Sequence, residues 1–275
     1  MSAIDRVFAQ LRREGRKTLI PFLSAGDPDL EFTTAVLRRL PEIGIPLCEV
    51  GIPYSDPIAD GPVIQSSYTR VLERGITVRA IWEAVQTAVR QAPITPITMV
   101  SYAIVYRHGL ERYVREAKQA GVAGLIVPDL PLEESPPLAD VCRREDLSLI
   151  QLITPTTPKE RAKRIAQHTT GFIYYVSVVG ITGERQQLPP EVVDNVAWLR
   201  TQTDLPICIG FGISRPEHVR MLAPVADGLI VGSALVRRIA DSQDQTRQTA
   251  IENVLNFLRQ LAEPLEKAHP LSRRK

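Results

Sequence analysis

The sequence has few cysteines, no long apolar run and almost no net charge, and each absence narrows the class of protein. Its three cysteines (Cys48, Cys142 and Cys208) are odd in number and lack Cys-x-x-Cys spacing. We therefore expect no structural disulfide and a cytoplasmic location. A secretory signal and an apolar run of about 20 residues, the length that spans a membrane, are both missing, which argues against a membrane protein.

Positive and negative charges nearly balance over the 275 residues, since 33 basic and 31 acidic side chains give a net charge of +2. Such balanced charge produces no strong positive electrostatic field that would attract nucleic acid or an anionic membrane. We therefore expect a small molecule or a protein as partner. No linker rich in Gly, Ser or Pro divides the chain. We expect one domain over residues 1–275, with the last few residues forming a frayed tail.

Several common catalytic devices are also missing. None of the lysines lies inside a predicted strand, which disfavours a Schiff-base aldolase. The 4 histidines fall on predicted loops or helices without metal-ligand spacing, so we expect no metal site. No phosphate-binding P-loop or dinucleotide fingerprint is present. Any chemistry must therefore use carboxylates, a phosphate-binding end and an apolar pocket.

Short apolar segments rich in β-branched residues alternate with longer amphipathic segments. Eight strands, each followed by a helix, predict an α/β fold: a single (β/α)8 TIM barrel with an extra N-terminal helix. The predicted strands are Thr18–Leu23, Leu47–Gly51, Ile97–Ser101, Gly124–Val127, Leu149–Ile153, Phe172–Val176, Pro206–Gly210 and Gly228–Val231. The predicted helices include Ala3–Arg13, Glu31–Leu40, Leu110–Ala120, Glu133–Arg144, Lys159–His168, Glu217–Leu222 and Gln245–Lys267.

Two connections between predicted strands are enlarged. The second and third strands start 50 residues apart (97 − 47), and the sixth and seventh start 34 apart (206 − 172). Loops that follow the strands form the active face of this fold. We therefore expect the functional residues on the loops after strands two and six.

Glu49 is an acid inside an otherwise apolar predicted strand. Alternation of side chains predicts that Cys48 and Val50 face the helices and that Glu49 faces the barrel interior. A desolvated acid is suited to proton transfer near neutral pH, although a structural hydrogen bond could also satisfy it. Asp60 follows eleven positions later (60 − 49) in a loop stiffened by prolines, where ordinary turn chemistry is the alternative interpretation. Together they predict two carboxyl groups facing one cleft.

Glycines follow the last two predicted strands, at Gly210-Phe211-Gly212 and Gly232-Ser233. In many barrels the backbone N–H groups at this position bind phosphate, although each glycine pair alone is often only a tight turn. Four side chains near strand ends are candidates for lining an apolar pocket, namely Phe22, Tyr102, Ile153 and Tyr174. Packing in the hydrophobic core is the usual role of such residues and stays the alternative interpretation.

With these residues the chain resembles the tryptophan synthase alpha chain family over nearly its whole length. The matching segments are Ile20–Pro28, Glu49–Gln65, Val127–Pro131 and Gly210–Ile213. The resemblance implies cleavage of indole-3-glycerol phosphate to indole and glyceraldehyde 3-phosphate in tryptophan biosynthesis. It implies that Glu49 is the acid/base that protonates the indole carbon, and that Asp60 hydrogen-bonds the indole N–H.

The resemblance also implies roles for other positions. Tyr174 resembles the family's active-site tyrosine, Phe22 aligns with the indole pocket, and Thr182 matches a loop threonine that meets the catalytic aspartate on closure. The implied phosphate-binding positions are Gly183, Gly212, Gly232 and Ser233, and Phe211 is a further substrate-binding candidate. The family's partner is a beta chain carrying pyridoxal phosphate in an alpha2-beta2 heterotetramer, so no cofactor is expected on this chain.

The chain departs from the family after the third predicted strand, where many members have asparagine and this chain has Ser101-Tyr102-Ala103-Ile104. In the family that region faces the beta subunit. Three alternatives stay open: a standalone lyase that releases free indole, a non-catalytic activator of a beta chain, and another phosphate-binding barrel. The presence of both Glu49 and Asp60 argues against a non-catalytic activator. Another phosphate-binding barrel would explain the glycines but not the loop that carries Asp60.

Overall fold

Nine parallel strands form one sheet in the structure, a computed structural model that describes residues 1–57, 60–177, 191–210 and 212–266. The strands are β1 (Thr18–Ser24), β2 (Leu47–Gly51), β3 (Thr95–Met99), β4 (Gly124–Ile126), β5 (Ser148–Ile150), β6 (Leu152–Ile153), β7 (Ile173–Val176), β8 (Ile207–Gly210) and β9 (Gly228–Val231). β5 and β6 are one stretch of chain interrupted at Gln151, and β5 pairs with β4 whereas β6 pairs with β7. Because the two ends of the strand order, β5 and β6, are adjacent parts of one stretch of chain, the sheet curves into a nearly closed barrel, and the predicted (β/α)8 barrel is confirmed.

Helices surround the barrel. They are α1 (Ala3–Arg13), α2 (Leu30–Arg39), α3 (Pro62–Glu73), α4 (Val78–Gln91), α5 (Tyr102–His108), α6 (Leu110–Gln119), α7 (Pro136–Arg144), α8 (Lys159–His168), α9 (Glu191–Arg200), α10 (Pro216–Leu222), α11 (Ser233–Asp241) and α12 (Arg247–Glu266). Both α3 and α4 follow β2, which explains the long connection after that strand. The other enlarged connection includes residues 178–190, which lie outside the described residues.

The extra helix α1 covers the end of the barrel where the strands begin. Its buried residues Ile4, Phe8 and Leu11 recur at helical spacing, and Phe8 meets Phe172 with ring centroids 5.8 Å apart. They belong to one buried cluster with inward residues of the strands. The barrel is therefore closed by α1 at one end, and the opposite end is left for the site.

Two predicted boundaries are wrong for local reasons. The third strand was predicted to reach Ser101 but ends at Met99, because the Ser101 hydroxyl accepts a hydrogen bond from the Ala103 N–H (3.3 Å) and begins α5. The predicted helix from Glu133 is split into a 3₁₀ turn, Leu132–Glu134, and α7, because proline at the start of α7 favours a new helix beginning there. In the described part of the chain, no helix is long and apolar enough to cross a membrane.

Candidate active site

Glu49 lies at the centre of β2 and points into the barrel. Cys48 and Val50 pack in the layer between strands and helices, whereas Leu47 packs in the barrel interior, so the predicted alternation is confirmed. The Glu49 side chain is fully buried, and neither carboxyl oxygen has a hydrogen-bond partner among the described residues. Burial raises the pKa of this group well above its ordinary value of 4.5, which favours the protonated form.

Asp60 lies immediately before α3, in the segment that follows β2. Its backbone N–H donates to the Pro57 carbonyl (2.9 Å), and the Gln65 side-chain amide donates to the Asp60 carbonyl (2.7 Å). These bonds tie the Asp60 backbone to the first turn of α3. Burial raises the pKa of the Asp60 carboxyl from 3.8 to about 6. The carboxyl group is thus largely ionised at neutral pH and poised to change charge just below it.

Two buried tyrosines, Tyr174 and Tyr68, lie near both acids, in the region that we call the chamber. Burial raises the pKa of the Tyr174 phenol well above its usual value, and the charges of Glu49 and Asp60 raise it further. The Tyr68 phenol, on α3, is shifted in the same direction by burial and then by nearby groups that include the same two carboxyls. Because charges interact more weakly with distance, both acids lie near both phenols.

Glycines let aromatic rings approach the strands closely around this chamber. A Cβ on Gly51 would lie 2.6 Å from the Tyr68 hydroxyl oxygen and would also clash with the Phe22 ring. A Cβ on Gly210 would lie 2.5 Å from the Tyr174 hydroxyl oxygen. The missing side chains of β2 and β8 are therefore replaced by rings from neighbouring elements, which form an apolar wall.

Two of the predicted pocket residues lie elsewhere. Ile153 packs in the layer between strands and helices, whereas Leu152 packs against the interior cluster and pairs with Tyr174 across β6 and β7. The chamber-lining position predicted for Ile153 therefore belongs to Leu152. Tyr102 begins α5, where its ring meets Tyr106 with centroids 6.0 Å apart and packs against the outer core.

The predicted phosphate end lies where α11 begins. Gly232 is the N-cap of α11, and no side chain caps the helix there. A Cβ on Gly232 would meet Phe22 Cβ at 4.0 Å, an ordinary contact distance, so the start of α11 is uncrowded beside Phe22 among the described residues. The backbone N–H groups of the first turn and the positive end of the helix dipole favour an anion at such a helix start. Gly212 follows β8 with a positive φ of 80°.

Three predicted site residues, Thr182, Gly183 and Phe211, lie outside the described residues. Two residues that the sequence did not single out face the chamber region. Tyr68 packs with Phe22, and the buried Ser24 hydroxyl, two positions beyond Phe22 on β1, has no hydrogen-bond partner among the described residues. The only sequence signal for Tyr68 is its helical spacing from Ile64, which also joins this cluster.

The fold is a TIM barrel, and the two acids belong to β2 and to the segment that follows it, on the loop side of the barrel where this fold carries its active sites. The sequence model of the family described as tryptophan synthase alpha chain matches residues 8–266. The chain belongs to the tryptophan synthase alpha chain family. This family comprises lyases, and its alpha subunit cleaves indole-3-glycerol phosphate in tryptophan biosynthesis.

Individual relatives agree over almost full length. The chain is 50% identical to the tryptophan synthase alpha chain of Rhodopirellula baltica, over 98% of this chain and 100% of the relative. It is 41% identical to that of Caldanaerobacter subterraneus subsp. tengcongensis, over 96% and 100%. Among solved structures, an alpha subunit from Legionella pneumophila superposes with a TM-score of 0.88 at 31% identity, covering 98% of this chain and 100% of that one. A chain of the tryptophan synthase α2β2 complex from Pyrococcus furiosus superposes with a TM-score of 0.82 at 37% identity, covering 90% and 98%.

Proposed function

We propose that this chain cleaves indole-3-glycerol phosphate to indole and glyceraldehyde 3-phosphate, with Glu49 and Asp60 as the catalytic residues. The observation that carries the proposal is the Glu49 carboxyl group, which is fully buried in the barrel interior and has no hydrogen-bond partner among the described residues. A buried group of this kind is costly to the fold and is suited to handling a proton.

In the proposed reaction Glu49 acts first as an acid and then as a base. Its protonated carboxyl group gives a proton to the indole carbon that carries the glycerol chain, and the indole ring becomes cationic. The ionised Asp60 accepts a hydrogen bond from the indole N–H and stabilises that charge. The bond between the ring carbon and the glycerol carbon then breaks, its electron pair neutralises the ring, and the adjacent hydroxyl proton returns to Glu49 as the aldehyde forms.

The remaining residues bind and orient the substrate in this proposal. Phe22 and Tyr174 form walls for the indole ring, and the N-terminus of α11 at Gly232 and Ser233 binds the phosphate together with Gly212. Thr182, Gly183 and Phe211 stay predictions from the family resemblance. The reaction uses only protein carboxyl groups as acid and base, and we assign no cofactor to this chain.

The partner we propose is a tryptophan synthase beta chain in an alpha2-beta2 complex. Support comes from the likeness to the Pyrococcus furiosus complex. The beta chain would carry pyridoxal phosphate and consume the indole. We also propose a cytoplasmic location, because all three cysteines are free and buried.

Indole release from the purified chain, with and without a beta chain, tests the proposal. Incubation with indole-3-glycerol phosphate should give slow turnover alone and faster turnover with the partner. Equally fast turnover alone would support a standalone lyase. No indole in either case would contradict the proposed activity, and stimulation of the beta chain without cleavage would identify a non-catalytic activator.

A further inference from the structure

Tyr68 lies on α3 with its ring against the chamber wall. Its side chain is 1% exposed, and it packs in a small cluster with Phe22, Ile64 and Val236. Val236 belongs to α11, the helix that begins at Gly232, and Phe22 belongs to β1. Tyr68 therefore belongs to the cluster that joins Phe22 of the proposed indole pocket to α11, the helix at the proposed phosphate-binding end.

The Tyr68 hydroxyl group lies over the β2 backbone at Gly51. Gly51 and Glu49 share the inward face of β2, because side chains two positions apart point the same way. Two strand residues span about 6.6 Å, so the phenol lies one pleat beyond the Glu49 carboxyl group. The Tyr68 hydroxyl group therefore lies on the same side of β2 as Glu49, toward the carboxyl end of the strand.

The Tyr68 ring also contacts the segment that carries Asp60. Its centroid lies 5.7 Å from that of Tyr54, and the ring planes are inclined by 54°. Tyr54 follows β2 and precedes Asp60 by six positions (60 − 54). Tilted aromatic pairs at this separation are stabilising beyond the area that they bury.

The helix that carries Tyr68 is itself anchored to the loop after β1. The buried Asp27 carboxylate accepts hydrogen bonds from the Ser67 hydroxyl (2.5 Å) and from Arg70 Nε (3.2 Å). Both partners lie within two positions of Tyr68 on α3. The Tyr68 ring is thus held by a fixed helix, whereas Tyr54 belongs to an irregular segment.

We propose that Tyr68 is a positioning residue for the cleavage: its ring, fixed on α3, holds Tyr54 and thereby keeps the Asp60 carboxyl group in the chamber. The inference rests on the proposed function, since positioning of Asp60 matters only if Asp60 meets the substrate. The ring makes the contact, and the hydroxyl group is not required for it.

The environment of Asp60 provides a readout of this role. The titratable groups around Asp60 are Tyr54, Tyr68, Tyr174 and Glu49, with Asp129 facing Tyr54. The phenols are uncharged near neutral pH, so burial is what raises the pKa of Asp60 to about 6. Loss of the Tyr68 ring admits water to Asp60, and the acid limb of the pH–rate profile then moves downward.

The test compares Tyr68→Leu and Tyr68→Phe with Tyr113→Leu as a matched control. Tyr113 is a fully buried tyrosine on α6 that packs against Trp82 in the outer core, away from the chamber. We expect Tyr68→Leu to lower kcat by about 10- to 100-fold with KM within about threefold, because the phosphate end is intact. Tyr68→Phe should retain wild-type kcat within about threefold and keep the acid limb in place, as should Tyr113→Leu. Equal losses of kcat in Tyr68→Leu and Tyr113→Leu would overturn the proposal.

Hydrogen exchange at the Asp60 amide separates this inference from the proposed function. That amide donates to the Pro57 carbonyl, so its exchange should accelerate at least tenfold in Tyr68→Leu and remain unchanged in Tyr113→Leu. Unchanged exchange in Tyr68→Leu would overturn the inference even where wild-type cleavage is normal. Absence of cleavage by the wild type would contradict the proposed function, and the exchange result would still decide whether Tyr68 holds Asp60.

A second variant covers the case in which Tyr68→Leu fails to fold. Tyr54 is only half-buried, and Tyr54→Leu removes the same ring contact from the other side. It should reproduce the loss of kcat and the faster Asp60 exchange. When all variants fold, the double variant Tyr54→Leu/Tyr68→Leu should have a kcat no lower than that of the more impaired single variant. Losses of kcat that multiply in the double variant would contradict action through Tyr54.

Discussion

The inward orientation of the Glu49 side chain was predictable from sequence. Glu49 is the one charged residue in an apolar strand, and the alternation of side chains along a strand fixes the face on which it lies. Ile153 shows where that reasoning fails. Residues on both sides of Gln151 are apolar, since strands of a parallel barrel are covered on both faces, and the pattern cannot tell the inward side chain from the outward one. Leu152 and Ile153 could therefore be separated only by the pairing of β6 with β7.

Because Glu49 is buried, it makes the free energy of unfolding decrease as the pH rises. Below pH 4.5 the carboxyl group is protonated in both the folded and the unfolded chain. Above 4.5 and up to the raised pKa, only the folded protein holds the proton, so each pH unit lowers the free energy of unfolding by about 1.4 kcal/mol. We predict that Glu49→Gln removes this slope, as measured by urea unfolding above pH 6, because the raised pKa of Asp60 adds a slope of the same sign below that pH.

An exposed glutamate provides the control for that slope. Glu83 on α4 has 67% of its side chain exposed, and Glu83→Gln should leave the pH dependence of unfolding unchanged. A slope retained in Glu49→Gln would show that other groups account for it.

Asp60 should determine the acid limb of the pH–rate profile. The proposed mechanism needs the ionised Asp60, whose pKa is about 6, so kcat/KM should fall below that pH. Because Glu49 must be protonated, a second fall should occur at higher pH. Asp60→Asn should lower kcat by about 100-fold or more and remove the acid limb. Persistence of the limb in Asp60→Asn would assign it to another group.

At the scale of elements, the site depends on α3 being fixed beside β1 and β2. The sequence predicts an enlarged connection after the second strand but gives no sign of the contact that anchors α3 within it. Asp27 and Arg70 are 43 positions apart (70 − 27), and only the closed barrel brings them together. Tyr68 was missed for the same reason, because its partners come from β1, α11 and the segment after β2.

Loss of the Arg70 anchor should be costly. The Asp27 side chain is 2% exposed, so Arg70→Ala leaves a buried carboxylate with the Ser67 hydroxyl and should lower the free energy of unfolding by about 3 kcal/mol. Arg79 is the control on the neighbouring helix, since its pair with Glu83 is exposed and Arg79→Ala should cost about 0.5 kcal/mol or less. Thermal or urea unfolding measures both, and equal effects would show that burial of the pair is unimportant.

At the scale of the whole molecule, the chamber exists only because the barrel closes. Glu49 and Asp60 come from the first quarter of the chain, whereas the α11 N-terminus comes from residues beyond 230. The pairing of β1 with β9 places Phe22 beside the start of α11. Repeated strand–helix units predict this closure from sequence, but the lining of the chamber depends on packing between distant segments.

Indole formation by Glu49→Gln is the most direct test of the account. The variant is assayed with indole-3-glycerol phosphate and a beta chain at pH 7, and glycerol 3-phosphate binding is measured in parallel. We expect cleavage to fall by about 100- to 10,000-fold while binding stays within about threefold of wild type. Cleavage close to the wild-type rate, from a chain that is folded and binds the ligand, would contradict the central role of Glu49.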